Sequence, residues 1–105
     1  MSGLSYGAFL LLSSGLLAIG IFGILTRRNF ILLLISLEIG MNATILNFVF
    51  FGAFSGGTVA LTGQAIAVVL IGFGAIEVAV GLAIVLALHR TKGTTNVAEA
   101  SLLRF

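Results

Sequence analysis

SLEIGMNA, residues 36–43, is the stretch that decides the fold of this chain, because it places a carboxylate inside a long apolar run. Glu38 and Asn42 are four residues apart, so they lie on one face of a helix. A charged side chain at the centre of a membrane-spanning helix costs about 2.5–3.5 kcal/mol on insertion scales. A group retained at that cost is expected to have a function, and the rest of the chain is expected to hold it at membrane depth.

The composition is that of an integral membrane protein. Sixty per cent of the 105 residues are hydrophobic and only 8% are charged, whereas soluble domains contain about 25% charged residues. So few charges cannot cover a globule. Five Lys and Arg residues are also too few to form a nucleic-acid-binding patch, so no nucleic acid is expected as a partner.

The chain carries no residues for a redox centre of its own. It has no Cys, so it cannot form a disulfide, a thiolate metal site or an iron–sulfur cluster, and its one His cannot build a haem or zinc site alone. No cofactor and no metal are therefore expected in this chain. Any redox chemistry must belong to a partner.

Three apolar segments predict an all-α protein with three transmembrane helices. The predicted spans are residues 4–26, 30–54 and 64–88, within one membrane domain of residues 1–105. The first span is about 35 Å long as a helix and is followed at once by two arginines, so it is interpreted as a retained span rather than a signal peptide. A polar connection is predicted at 26–29, a Gly- and Thr-rich loop at 55–63 and a polar tail at 89–105, whose part from residue 94 is a candidate surface helix.

The basic residues predict the orientation. The Lys and Arg residues near the spans fall on one side of a three-span chain, namely Arg27, Arg28, Arg90 and Lys92. The other side, formed by the N-terminus and the Gly-rich segment, has none. The positive-inside rule then places the N-terminus outside and the C-terminus in the cytoplasm.

Glu77 in the third span forms a pair with Glu38. Glu38 lies ten residues beyond Arg28 and Glu77 lies twelve residues before His89, which are about 15 and 18 Å along a helix. Both are thus near mid-membrane. No Lys, Arg or His lies within a span, so the two carboxyls are protonated, face water or meet a basic group on another subunit.

The neighbouring residues predict which faces meet other helices. Asn42 shares the face of Glu38 and is expected to hydrogen-bond the carboxyl or to hold a water. On the other side of the same span, three polar residues are expected to contact other helices: Ser36, Thr44 and Asn47. Two glycines flank Glu77 and leave room for water or a partner side chain: Gly74 and Gly81. A second stripe of small residues suits close packing: Gly72, Ala75, Ala79 and Ala83.

Simpler roles compete with these interpretations. A membrane Glu can be a protonated hydrogen-bond donor that only ties helices together. Asn and Ser residues in spans join helices more often than they line a proton path. The pair Arg27-Arg28 is usually a topology anchor, and His89 is best interpreted as an interfacial residue.

The motifs together resemble a known family. Arg27-Arg28-Asn29, then SLE at 36–38 and MNA at 41–43, are similar to the K subunit of proton-pumping NADH:quinone oxidoreductase, respiratory complex I. In the third span, Gly63-Gln64 and EVAVGLAI at 77–84 resemble the closing helix of the same family. The resemblance covers essentially the whole chain, with the motifs in the same order and at the same spacing.

The resemblance implies a membrane-arm subunit of a complex I-type quinone oxidoreductase. Glu38 and Glu77 would belong to an intramembrane proton relay coupled to quinone reduction, with Asn42, Arg27 and Arg28 in supporting positions. Quinone, flavin and iron–sulfur clusters would lie on partner subunits. The partners would include quinone-proximal and antiporter-like subunits, in a bacterial or archaeal plasma membrane.

Other membrane proteins of this size fit the sequence less well. A small drug/proton exporter usually has four spans and its Glu in the first, whereas the first span here has no acid. A rotor-type proteolipid has two spans and one carboxylate. A purely structural membrane scaffold is a further alternative. The related small subunits of multi-subunit cation/proton antiporters and membrane-bound hydrogenases are closer, but the paired glutamates and the MNA motif favour the complex I type.

Overall fold

The structure, a computed structural model, describes residues 5–93 and residue 96. Most of these residues lie in three helices. They are α1 (Tyr6–Thr26), α2 (Phe30–Ser55) and α3 (Gly57–Lys92). All three are long and apolar enough to cross a membrane, and no strand runs through the described residues. The predicted all-α architecture with three spanning helices is therefore confirmed.

Polar side chains define where the first two helices begin. The hydroxyl of Ser5 accepts a hydrogen bond from the Ala8 N–H at 3.1 Å. Asn29 Oδ1 accepts one from the Ile31 N–H at 2.8 Å. Each side chain satisfies an amide that has no partner within its own helix, as N-caps do. The polar connection between α1 and α2 thus consists of residues 27–29.

The predicted loop over residues 55–63 is wrong. Gly56 is the only residue between α2 and α3, and the next residues already belong to α3. The chain reverses direction because Gly56 (φ 74°) and Gly57 (φ 58°) adopt positive φ angles, which residues with a side chain rarely do. The threonines that suggested a loop bond within the helix, since the Thr62 hydroxyl donates to the Thr58 carbonyl at 2.9 Å.

The remaining glycine of that segment serves close packing rather than a turn. A Cβ atom added to Gly63 would lie 2.6 Å from the Phe48 carbonyl oxygen and 3.1 Å from Gly52 Cα. Gly52 meets α3 in the same way, at 3.1 Å from the Ala60 carbonyl oxygen. The backbones of α2 and α3 therefore touch here, an arrangement that only small residues permit.

The far end of α3 also extends beyond its predicted limit. The span was predicted to end at residue 88, but α3 continues to Lys92, where the Gly93 N–H bonds to the His89 carbonyl at 2.8 Å. Asn96 forms an isolated antiparallel bridge with Asn29, so the segment after α3 returns to the α1–α2 connection. The candidate surface helix over residues 94–105 otherwise lies outside the described residues.

α2 lies between the other two helices and contacts both along its length. Against α1, a Cβ atom added to Gly20 would meet the Gly40 backbone nitrogen at 2.8 Å, and one added to Gly23 would collide with the Ser36 side chain. Nearer the other end, the Ser13 hydroxyl donates to Asn47 Oδ1 at 2.7 Å. Glycines and one side-chain hydrogen bond thus fix α1 on α2.

Side chains are distributed as expected for a protein surrounded by lipid. The most buried side chains are small, and they include Ser13 and Ala43, each only 1% exposed. Large apolar side chains point outward along all three helices, for example Leu11, 77% exposed, and Val68, 67% exposed. Lipid is as apolar as leucine, so packing between spanning helices depends on close approach rather than on the burial of large side chains.

Aromatic rings cluster at the end of the molecule away from the arginines. The ring of Tyr6 makes edge contacts with Phe51 and Phe54, with centroids 6.1 and 5.5 Å apart, and Phe9 stacks on Phe50 at 3.8 Å. Tyrosine is enriched where a span leaves the membrane. The cluster therefore agrees with an interface at this end.

Replacement of Gly63 by alanine tests the α2–α3 contact. The new methyl group would meet the backbone of Phe48 and Gly52, which cannot rotate away, so we expect a loss of about 1–3 kcal/mol in stability. Gly15→Ala in α1 is the control, since a Cβ there enters open space. The measurement is thermal dissociation of this chain from its purified membrane assembly. Equal behaviour of the two variants would contradict the packing.

Candidate functional site

Glu38 projects from α2 towards α3. The side chain is partly buried, and its Oε1 atom is completely buried without a hydrogen-bond partner among the described residues. Its Oε2 atom would lie 3.6 Å from a Cβ added to Gly74 of α3. The carboxyl group therefore occupies the space that the missing side chain of Gly74 leaves. An unpaired buried carboxyl oxygen is unfavourable unless the group is protonated or hydrated.

A small cavity adjoins the carboxyl group. Its volume is about 150 Å³, and its lining combines two polar residues of α2 with apolar residues of both helices: Glu38, Asn42, Met41, Ile45, Ile71, Gly74, Ala75 and Val78. A water molecule needs a polar site and about 10–15 Å³ of probe-occupied space. The cavity meets both requirements and lies where the Glu38 carboxyl needs a partner.

Asn42 lines this cavity but does not bond directly to Glu38. The side chain of Asn42 is exposed, and no hydrogen bond joins it to Glu38 within the described part of the chain. The predicted direct hydrogen bond is therefore not formed. The other predicted role, a shared water, fits the common cavity and stays a prediction.

Glu77 is half-buried on α3, between two glycines that contact α2. Gly74 lies against Glu38, and a Cβ added to Gly81 would meet Leu34 Cδ1 at 2.7 Å. The space beside the two glycines, predicted to be free for water or a partner side chain, is thus occupied by side chains of α2. One of these occupants is the carboxyl group of Glu38.

The same contacts give the relative height of the two carboxylates. Gly74 is opposite Glu38 and Gly81 is opposite Leu34, so Glu77 lies between the levels of these two α2 residues. Leu34 and Glu38 are four residues apart, so the axial offset between Glu38 and Glu77 is at most about 6 Å, just over one helical turn. The two acids that the sequence singles out are therefore brought to neighbouring levels on adjacent helices.

The polar residues on the other side of α2 have separate roles. Asn47 bonds to Ser13 and Ser36 packs against Gly23, so their predicted contact with another helix is confirmed. Thr44 is exposed and its hydroxyl donates to the Gly40 carbonyl of its own helix at 3.4 Å. Ser36 and Asn47 thus hold α2 on α1, while Glu38 faces α3.

The second stripe of α3 is exposed, although its member Ala75 also lines the cavity beside Glu38. All four of its members are exposed: Gly72, Ala75, Ala79 and Ala83. A Cβ atom added to Gly72 would enter open space. Close packing along this stripe, as predicted, therefore requires another subunit.

The basic residues lie together at one end. Arg27 and Arg28 form the α1–α2 connection, and Arg90 lies in the last turn of α3. All three side chains are exposed. The bridge between Asn29 and Asn96 brings these ends together. Among the described residues, no group of His, Cys, Asp and Glu has the arrangement of a metal site.

Sequence reasoning missed the contribution of Gly74. It was identified only as a neighbour of Glu77, whereas the structure makes it the residue against which the Glu38 carboxyl lies. The signal was available in part, since Gly74 sits three residues before an intramembrane acid. The pairing of the two helices was needed to show which carboxyl uses the space.

A protein with three spanning helices, an exposed apolar surface and two carboxylates at neighbouring levels is a small multi-pass membrane subunit. Comparison with known proteins identifies the family. The family model described as NADH-ubiquinone/plastoquinone oxidoreductase chain 4L matches residues 8–105. The chain therefore belongs to this family of membrane subunits.

Relatives of similar length agree with this result. The chain is 40% identical over 103 residues to NADH-quinone oxidoreductase subunit K of Desulfitobacterium hafniense, with 94% of each chain covered. It is 43% identical over 95 residues to the subunit K of an Anaeromyxobacter species, with 90% of this chain and 93% of the relative covered. It is 41% identical over 97 residues to NAD(P)H-quinone oxidoreductase subunit 4L of a Nostoc species, with 92% and 95% covered. The predicted resemblance is confirmed.

Enlargement of Gly74 tests the carboxyl site. Gly74→Ala places a methyl group at an ordinary contact distance from Glu38 Oε2, so we expect it to be tolerated. Gly74→Leu must displace the carboxyl group from the cavity. The expected result is a shifted infrared carboxyl band of Glu38 in the leucine variant only, with the band assigned by its loss in Glu38→Gln. An unchanged band in Gly74→Leu would contradict the site.

Proposed function

We propose that Glu38 and Glu77 carry part of the intramembrane proton relay of an NADH-quinone oxidoreductase complex, and that this relay is coupled to quinone reduction in other subunits. Family membership supports the assignment of the chain to such a complex. The geometry of the two carboxyls supports the assignment of the role. Asn42 and the pair Arg27-Arg28 have supporting positions in this proposal.

The observation that carries the proposal is the unpaired Oε1 atom of Glu38. A carboxyl group that only tied helices together would hydrogen-bond across a helix interface, and no such bond exists among the described residues. The group faces a cavity with room for water instead. A carboxyl group there can release a proton to water on one side and then take up another from the opposite side.

Proton transfer between the two acids needs only local motion. They lie on adjacent helices at levels that differ by at most about 6 Å, and Gly74 beside Glu38 is one turn from Glu77. Rotation of either side chain, with water in the cavity, would connect them. Residues 5–26 and 30–88 contain no Lys, Arg or His, so no cation within these stretches pairs with either acid.

The driving force comes from partner subunits in this proposal. Quinone reduction there changes hydration and charge near the two acids, and the protons then move. Quinone, flavin and iron–sulfur clusters are assigned to the partners because this chain has no Cys and one His. The exposed small-residue stripe on α3 supports close contact with a helix of a neighbour, and we assign the neighbours as a quinone-proximal and an antiporter-like subunit.

We assign the chain to a bacterial or archaeal plasma membrane, with the N-terminus outside. The support is the collection of basic residues at one end of the molecule, which includes Arg27, Arg28 and Arg90. The aromatic cluster around Tyr6 lies at the opposite end. Among the described residues at that end, none is Lys or Arg. Cytoplasmic loops are enriched in Lys and Arg.

Glu38→Gln and, separately, Glu77→Gln test the relay. Each variant keeps the size of the side chain but cannot release a proton. We expect the number of protons translocated per electron to fall in at least one of them when the complex is reconstituted in closed vesicles. Proton uptake and quinone reduction are measured together, so that a loss of coupling is distinguished from a loss of turnover.

Thr44→Val is the matched control for these variants. Thr44 is an exposed polar residue of the same helix, and its hydroxyl bonds only to its own backbone. We expect the proton-to-electron ratio of this variant to equal that of the wild type. If both glutamine variants also pump at the wild-type ratio, the acids only join helices and the relay role is wrong.

Single cysteines test the orientation, because the chain contains none. Ser55→Cys marks the end with the aromatic cluster and Thr91→Cys marks the basic end; both positions are exposed. We expect a membrane-impermeant maleimide to label Ser55→Cys in right-side-out vesicles and Thr91→Cys in inverted vesicles. Labelled peptides of this chain are identified by mass spectrometry. The reverse pattern would place the N-terminus in the cytoplasm.

A further inference from the structure

An apolar groove runs along the basic end of the molecule, apart from the two acids. Its volume is about 320 Å³, and residues of all three helices line it, including Ile24, Phe30, Leu33, Leu37, Ile84 and Val85. The groove extends over about two turns of α2, from Phe30 to Leu37.

Basic residues follow the lining residues along the chain at one end of this groove. Ile24 lies one turn before Arg27, and Phe30 follows Arg28 by two residues. Both arginines are exposed. On α3, Val85 lines the groove and His89 follows it by one turn, on the same face. The only acids of residues 5–93 are Glu38 and Glu77, which lie deeper in the helices, so no acid of that range neutralises this end.

We propose that the groove binds an anionic phospholipid of the surrounding bilayer. The phosphate contacts Arg27 and Arg28, and one acyl chain lies along the apolar lining. Arginine binds phosphate with paired, charge-assisted hydrogen bonds. A flexible hydrocarbon chain fills an irregular void and restores the dispersion contacts that the void lacks. Basic pockets between spanning helices at the cytoplasmic side are a known mode of recognition for anionic headgroups.

The charge beside the groove favours a lipid over a helix of another subunit. The lining is apolar, whereas the exposed residues Arg27 and Arg28 lie next to it in the chain. An apolar helix would cover the groove but leave both arginines without an anion. A phospholipid supplies an acyl chain for the lining and a phosphate for the arginines.

Photo-crosslinking of lipids to the intact complex tests this site. The complex is reconstituted in phosphatidylcholine vesicles with trace amounts of phosphatidylglycerol that carries a diazirine on one acyl chain. A phosphatidylcholine probe with the same chain is the comparison. We expect the anionic probe to label peptides containing Leu33, Leu37 or Val85 about tenfold more than the zwitterionic one, since two arginines near the headgroup contribute to its affinity.

Variants separate the headgroup from the groove. The double variant Arg27→Gln/Arg28→Gln should abolish the preference for phosphatidylglycerol. Val85→Trp fills the groove and should reduce labelling by both probes, whereas the adjacent Leu86→Trp, 50% exposed on another face, should not. If the arginine variant does not assemble, two other results test the proposal. They are the labelling ratio of the two probes in the wild-type complex and the effect of Val85→Trp.

Two results would overturn the proposal. Absence of labelled groove peptides in the wild-type complex would show that another subunit covers the groove. Equal labelling by both probes would show that the arginines do not select an anionic headgroup. Both outcomes are independent of whether Glu38 and Glu77 carry protons.

Discussion

Close contact between the backbone of α2 and both neighbouring helices is the constraint on which the structure depends. In lipid, large apolar side chains gain little by meeting each other, so helices are held by close approach and by a few polar contacts. Gly20 and Gly23 bring α1 onto α2, and Gly63 brings α3 onto it from the other side. The bond between Ser13 and Asn47 adds a polar contact on the α1 side. One face of α2 therefore packs against α1, and the other face packs against α3.

The position of Glu38 follows from that assignment. Ser36 is directed to α1, so the face that carries Glu38 must meet α3, where Gly74 leaves space for a carboxyl group. The antiparallel pairing that Gly63 fixes near one end also sets Glu77 within about one turn of Glu38. A shift of α3 by one turn would place a larger side chain against the carboxyl. The helix contact and the acid pair are therefore parts of one arrangement, and a small residue at position 74 is needed for both.

The same small subunit offers distinct surfaces to its surroundings. The exposed stripe of Gly72, Ala75, Ala79 and Ala83 suits a protein helix, because backbones can approach closely there. The groove beside Arg27 and Arg28 has a different character, since it is narrow, apolar and cationic at one end. Within this scheme, a protein contact along α3 and a lipid at the basic end would both hold the subunit in the membrane arm without any direct contact with the two acids.

The sequence by itself determined the class, the number of spans, the grouping of basic residues and the two acids, because long apolar runs and isolated charges have a direct physical meaning in a membrane. It misjudged residues 55–63 and the end of α3, since Gly and Thr favour loops in water but permit close helix packing in lipid. Only the tertiary structure decided that Gly63 is a packing residue, that Glu38 rather than a partner fills the space at Gly74, and that Asn42 lines a cavity without bonding Glu38 directly. These facts depend on the rotation and register of α2 against α3, which no local pattern in either helix specifies.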